Sequence, residues 1–172
     1  ELLGSKIFES SFNLYDDGIT PSQLNSRLIL QAERGDIAEE FVLGIERRRL
    51  AKHSHIEAVK RVSLTNVSAG FDIQSFESDK SEKLDKFIEV KSYLGAPGFY
   101  WSVNEIHVAK EKGELYSLVI VDYSKIDQED YEPSEIKNPY LIFNMDKHVS
   151  KKTTSPFEIE PQNFYISWKN DE

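Results

Sequence analysis

The chain has 172 residues, 39% hydrophobic and 30% charged, enough for one domain that buries its own core. It holds no cysteine, which excludes disulfides, thiolate zinc sites and cysteine nucleophiles, and it has no apolar run near the roughly 20 residues that span a bilayer. The formal net charge of −9 argues against a protein that coats nucleic acid, yet it leaves room for carboxylates clustered around a cation.

No secretory signal is visible, and a cytoplasmic setting is expected. The chain begins at Glu1 and its one methionine is Met145, so it reads as a domain cut from a larger protein. Residues 1–34 read as an N-terminal extension. Ile7, Phe8, Phe12, Leu14 and Tyr15 there follow no clean period, and Asp16-Asp17-Gly18 is a turn signal. Thr20 or Ser22 can cap a short helix with Pro21 at its first position, carrying Leu24, Leu28 and Leu30.

Gly35 and Asp36 then open the clearest helix, at about 36 to 52, with Asp36 as N-cap and Ala38, Phe41, Val42, Ile45 and Leu50 at helical spacing. Its acids lie early and its bases late, as the helix dipole favours. His53 and His55 follow in a charged loop and read as surface residues. The pattern next switches to strands. Val59–Val67 reads as the first, Ala69-Gly70 as a break, Phe71–Phe76 as the second, Glu77–Lys86 as a solvated hairpin tip and Phe87–Lys91 as the third.

After the Gly95–Gly98 loop, Ser102 with Glu105 makes a capping-box pattern for a helix at about 103 to 112, stopped by Gly113. Tyr116–Val121 is an apolar, central strand, and the acidic stretch from Asp122 to Glu135 reads as a loop. Pro139–Phe143, Phe157–Glu160 and Phe164–Trp168 read as late strands. The order implies an α/β (α+β) domain over 35–172, a mixed sheet flanked by helices, with its core at 35–123 and C-terminal strands within 139–168.

Strand side chains alternate between faces, so Glu89 and Lys91 share one face while Ile88 and Val90 enter the core from the other. If the strands bearing Asp72 and Glu89 form a hairpin, their carboxylates converge at one end, and Glu39 on the long helix can approach them. Two carboxylates and a backbone carbonyl make a hard oxygen site suited to Mg²⁺, which activates water and offsets phosphate charge. A lysine two positions after the second acid can orient that water or stabilise the developing charge. Each of these residues also has a plainer reading. An E-x-K triplet is most often an exposed charge pair, Glu39 a helix-start acid and Glu105 a capping residue. Arg47, Arg48 and Arg49 form a solvated helix face or touch phosphates, and Tyr100 and Trp101 pack in the core or stack on a base.

Gly70-Phe71-Asp72-Ile73 followed by Phe87-Ile88-Glu89-Val90-Lys91-Ser92 resembles the core of the PD-(D/E)xK nucleases. A wider set of segments is similar to the C-terminal domain family of NO VEIN, over roughly residues 35 to 123. The set is Ala38-Glu39-Glu40-Phe41-Val42, Glu46-Arg47-Arg48-Arg49-Leu50, the two core segments and Tyr100-Trp101-Ser102-Val103-Asn104-Glu105. Related domains accompany helicases and ATPases in restriction and anti-phage systems.

The resemblance implies a Mrr-like, restriction-endonuclease-like fold and a Mg²⁺-dependent endodeoxyribonuclease, with Mn²⁺ as substitute. It implies Asp72, Glu89 and the Val90 carbonyl as metal ligands, Lys91 serving the water, and Glu39 as the first-helix acid, with Glu40 competing for that place. It puts Asn104 and Glu105 where related nucleases carry a polar residue. Phe71 replaces the motif's proline. DNA, helicase or ATPase domains of the parent protein and a second copy are the implied partners. The alternative expectation is a catalytically silent module of the same fold that binds DNA or a protein.

Overall fold

A computed structural model describes residues 19–149 and 163–168. Helix α1 spans Pro21–Arg49. Thr20 accepts from the Gln23 N–H, and the Gln23 side chain accepts from the Thr20 N–H, a capping box with Pro21 in the first turn. The expected break at Gly35 is corrected, because one helix runs straight through it. A helical glycine costs only about 1 kcal/mol relative to alanine. Asp36 does not cap a second helix but accepts from Arg61 at 2.7 Å.

The sheet then builds around a central pair. Strand β1 is Lys60–Arg61, β2 Ile73–Ser75, β3 Lys86–Tyr93, β4 Phe99–Ser102, β5 Tyr116–Asp122 and β6 Ser134–Lys137. Their order is β1-β2-β3-β5-β6, with β3 and β5 parallel and the other neighbours antiparallel. β4 stands apart and pairs with β7, Asn163–Ile166, while helix α2, Val103–Lys112, connects β4 to β5. This is the mixed α/β arrangement expected from the sequence.

Several local expectations are corrected. The strand expected over Val59–Val67 is only two residues long, because the Val62 carbonyl accepts the Thr65 and Asn66 N–H groups and turns the chain. The acidic segment is not all loop. Glu135 sits in β6, where Lys86 and Ser117 hold it. Pro139–Ile142 is a short helix, α3, because left-handed Asn138 caps it through the Leu141 N–H. A five-residue apolar run cannot by itself distinguish helix from strand. A second short helix, α4, covers Asp146–Val149. The strand expected at Phe157–Glu160, like the apolar residues from Ile7 to Tyr15, lies outside the described residues. No described helix is long and apolar enough to cross a membrane.

Alternation along β3 and β5 splits the core in two. Ile88, Val90, Val119 and Val121 pack against Ala38, Val42 and Leu43 of α1 and Leu50 just after it. Phe87, Leu118 and Ile120 face the other way, toward Ile106 and Ala109 of α2 and the buried Phe99 and Trp101 of β4. Glu89 and Lys91 share parity with Phe87, so they point to the α2 side.

Charge enters the α1 side as well. Glu46, 4% exposed, receives Arg49 at 2.6 Å, Ser75 Oγ at 2.7 Å and Lys86 Nζ at 3.2 Å, and Lys86 also meets Glu135 at 3.0 Å. Arg49 therefore anchors the helix end to the Phe76 and Glu77 carbonyls, while Arg47, Arg48 and Arg49 all stay on the exposed face expected of them. His53, expected on the surface, is buried. Its ring stacks on Phe76 at 3.8 Å and its Nε2 lies 2.9 Å from the Ser81 carbonyl.

Candidate active site

Asp72 ends one residue short of β2, and its side chain prolongs the ladder. Its backbone N–H donates to the Ile88 carbonyl at 2.8 Å, and its Oδ2 accepts the Val90 N–H at 2.8 Å. The hairpin therefore carries the Asp72 carboxylate across to β3, beside Glu89. Just upstream, Gly70 has φ +74° and its carbonyl accepts from the buried Tyr116 hydroxyl at 2.9 Å. A Cβ on Gly70 would lie 2.6 Å from Val108 Cγ2, so glycine is required both by conformation and by the close approach of α2.

Glu89 is 3% exposed, and its Oε1 lies 2.6 Å from Lys91 Nζ. The same ammonium reaches Glu105 Oε2 at 2.9 Å. Glu105 is the third residue of α2, and that Oε2 also accepts the Ser102 N–H at 3.0 Å, completing a capping box. The capping role read from the sequence is thus present, with Lys91 added to it.

Glu39 lies near enough for its charge to act on Asp72, but its Oε2 is occupied. It accepts from Arg61 Nη2 at 2.8 Å, Arg61 Nε at 3.2 Å and Ser63 Oγ at 2.5 Å. Glu40 meets the same guanidinium only at 3.6 Å and is mostly exposed. Of the two acids weighed on the first helix, Glu39 is the one turned toward the site.

A cleft of about 310 Å³ is lined by Asp72, Glu89, Glu105, Asn104, Gly70, Phe71, Ser102 and the turn residues Ser63, Asn66, Val67 and Ser68, while Lys91, Glu39 and Val90 stand behind its lining. Asn104 donates to the Ser68 carbonyl at 3.1 Å and so ties the turn to α2. Arg48, Tyr100 and Trp101 do not border the cleft. Arg48 is exposed on α1, Trp101 is fully buried edge-on to Phe143, and Tyr100 lies 5.1 Å from the Tyr165 ring on the β4–β7 ribbon.

Burial pushes the Asp72 carboxyl up to about 7, and the Glu39 and Glu105 charges add to that, against the opposing pull of the Val90 N–H and Lys91. Burial likewise pushes Glu89 well above the usual carboxylate range, with Asp72 reinforcing it and Lys91 opposing. Burial alone would lower Lys91, but Glu89 and Glu105 outweigh it and hold the amine above its ordinary value. Among the described residues the cluster thus sets three acids against one ammonium, and its two innermost carboxyls hold their protons more tightly than usual.

Among the described residues no three His, Cys, Asp or Glu side chains form a ready-made metal cluster. Two carboxylates on an open cleft suit an ion that keeps most of its waters, as Mg²⁺ does, and do not suit a closed structural zinc site. Sequence reasoning missed Ser63 and the Asn66–Ser68 turn as parts of this wall, and Arg61 as the partner of Glu39. It also missed the Tyr116 hydroxyl, for which the signal was available: a buried tyrosine in an apolar strand needs a partner for its O–H.

The family described as protein NO VEIN, C-terminal, matches residues 38–135. Comparison with curated proteins and with solved structures yields no match. The matched span covers more than half of the chain and takes in Glu39, Asp72, Glu89, Lys91, Asn104 and Glu105, together with β1, β2, β3, β5 and the start of β6. The chain belongs to the NO VEIN C-terminal domain family.

Proposed function

We propose that this domain is a metal-dependent phosphodiester hydrolase of the PD-(D/E)xK type, acting as a DNA endonuclease within a larger restriction or anti-phage protein. The observation that carries the reading is the pair of carboxylates, the partly buried Asp72 and the buried Glu89, set side by side across one hairpin at a cleft, both raised chiefly by burial and with Lys91 against Glu89. Asp72, Glu89 and the Val90 carbonyl are the groups that would hold Mg²⁺ or Mn²⁺. When bound, the ion would neutralise phosphate charge and acidify a water.

The protein's own residues supply the rest. Asp72 and Glu89 fix the position of that charge at the cleft wall. Lys91 presents an ammonium that stays protonated and can face an anionic oxygen. Asn104, Ser63, Asn66 and Ser68 offer neutral hydrogen-bonding groups to a nucleotide strand. Helicase or ATPase domains of the parent protein would deliver DNA, and a second copy would be needed to cut both strands.

The second reading is a catalytically silent module binding DNA or a protein. It is favoured by the formal net charge of −9 and by the absence of any lysine or arginine among the residues lining the cleft. Nicking of supercoiled plasmid with Mg²⁺ or Mn²⁺, compared with Asp72→Ala and Lys91→Ala, separates the two. Nicking lost in both variants supports the nuclease. No nicking together with no metal binding at Asp72 leaves the silent module.

A further inference from the structure

Lys91 has four rotatable bonds, and nothing in a strand by itself tells its ammonium where to sit. Glu89 cannot decide the matter alone, because it lies two residues away on the same strand and constrains the amine only along β3. Glu105 supplies the second direction from a different element, α2. Its carboxylate is itself fixed to backbone: Oε2 accepts the Ser102 N–H at 3.0 Å, and the Glu105 N–H donates to Ser102 Oγ at 3.3 Å. The same Oε2 holds Lys91 Nζ at 2.9 Å, opposite the 2.6 Å contact with Glu89. Lys91 and Glu105 side chains are only 16% and 20% exposed, so water competes weakly for this ammonium.

We propose that Glu105 is the positioning residue for Lys91: the capping box at the start of α2 holds a carboxylate in place, and that carboxylate sets where the lysine ammonium points. The inference rests on the nuclease reading for its catalytic meaning, while the geometry it asserts can be tested without cleavage. Glu105 then does two things with one oxygen, ending the helix and aiming the lysine. A plain capping residue would do only the first. The two differ in what charge removal does, since glutamine at this position still completes a capping box but offers no charge-assisted bond to an ammonium.

The test uses the full chain labelled with ¹⁵N-lysine, observing side-chain NH₃⁺ resonances at neutral pH, with the Lys91 signal assigned by its loss in Lys91→Arg. A protected Lys91 ammonium resonance is expected in the wild type. Glu105→Gln should remove or broaden it while leaving the melting temperature unchanged. Ser102→Ala should lower the melting temperature yet keep the resonance, since the carboxylate contact to Lys91 remains. A Lys91 resonance that survives Glu105→Gln overturns the proposal, as does its loss in Ser102→Ala to the same degree. On Mg²⁺-dependent nicking, Glu105→Gln should lower kcat by about 10–100-fold, typical for removal of a group that orients a working residue, with KM unchanged. An equal change in KM counts against it. A wild type that does not nick at all sinks the nuclease reading alone, and the resonances still decide the role of Glu105.

Discussion

Asp72→Asn exchanges one of the two coupled carboxylates for a neutral group that keeps an oxygen for the Val90 N–H, so the change in charge is isolated from the change in hydrogen bonding. In the folded chain the Asp72 carboxyl is pushed from 3.8 up to about 7, chiefly by burial and then by the Glu39 charge. Between those two pH values the unfolded chain has released the proton and the folded chain retains it. Stability therefore falls as pH rises through that window and is flat outside it.

At 1.36 kcal/mol per unit, a shift of about 3 units sets a ceiling of roughly 4 kcal/mol on the loss from this group. Glu89, raised in the same sense, adds to it. Urea unfolding in EDTA between pH 4 and pH 8, followed by tryptophan fluorescence, should show the wild type losing several kcal/mol more than Asp72→Asn over this range. At pH 8 the variant should be the more stable protein while being unable to nick DNA. If wild type and variant lose stability in parallel with pH, Asp72 is not a strained carboxylate and the electrostatic account of the site fails.

Lys91→Met leaves Glu89 and Glu105 facing each other without their shared cation, and breaking a buried pair in this way should cost about 3–5 kcal/mol at pH 8, recovered in part on acidification, as read by urea midpoints. Gly70→Ala forces a side chain onto φ +74° and against Val108, and calorimetry should show a loss of about 1–3 kcal/mol together with weakened metal binding, since the Asp72 strand is displaced. Gly35→Ala should raise stability by up to about 1 kcal/mol, because α1 passes through this position with nothing within 4 Å of an added Cβ. A destabilised Gly35→Ala protein would mean that the helix breaks there after all.

What the sequence made legible was mostly periodic or motif-borne. Alternation placed Glu89 and Lys91 on one face of a strand and Ile88 and Val90 on the other, and the charged run between the two strands correctly announced a hairpin. Ser102, Glu105 and Gly113 marked both ends of α2 because caps are local chemistry, written within four residues of one another. The errors share a different cause. Gly35 looked like a boundary because local propensity ignores the capping box that starts α1 at Thr20, fifteen residues upstream. His53 looked solvated, and Glu135 looked like part of a loop, because their partners, Phe76, Ser81, Lys86 and Ser117, lie elsewhere in the chain. The Ser63–Gly70 wall of the cleft has no period at all, and it is shaped by the Val62 carbonyl, Asn104 and Tyr116, contacts that only the fold creates.

The fold contains its own control for the reading of the site. On the α1 side of the sheet, the buried Glu46 and the more exposed Glu135 meet two cations, Lys86 and Arg49. Burial pushes both acids up, but the hydrogen bonds and cations around them win, and both end below the usual carboxylate range. On the α2 side, Asp72, Glu89 and Glu105 share only Lys91, Glu39 being matched by Arg61. There the same burial wins, and Asp72 and Glu89 end above that range. The difference lies in the number of counterions around each group of acids. A network that serves only packing is expected to be satisfied from within, as the Glu46 cluster is. The Asp72–Glu89 cluster lacks positive charge and opens onto a cleft through which a cation can enter. That imbalance, more than the motif spelling, is what supports the proposal of binding chemistry on the α2 side.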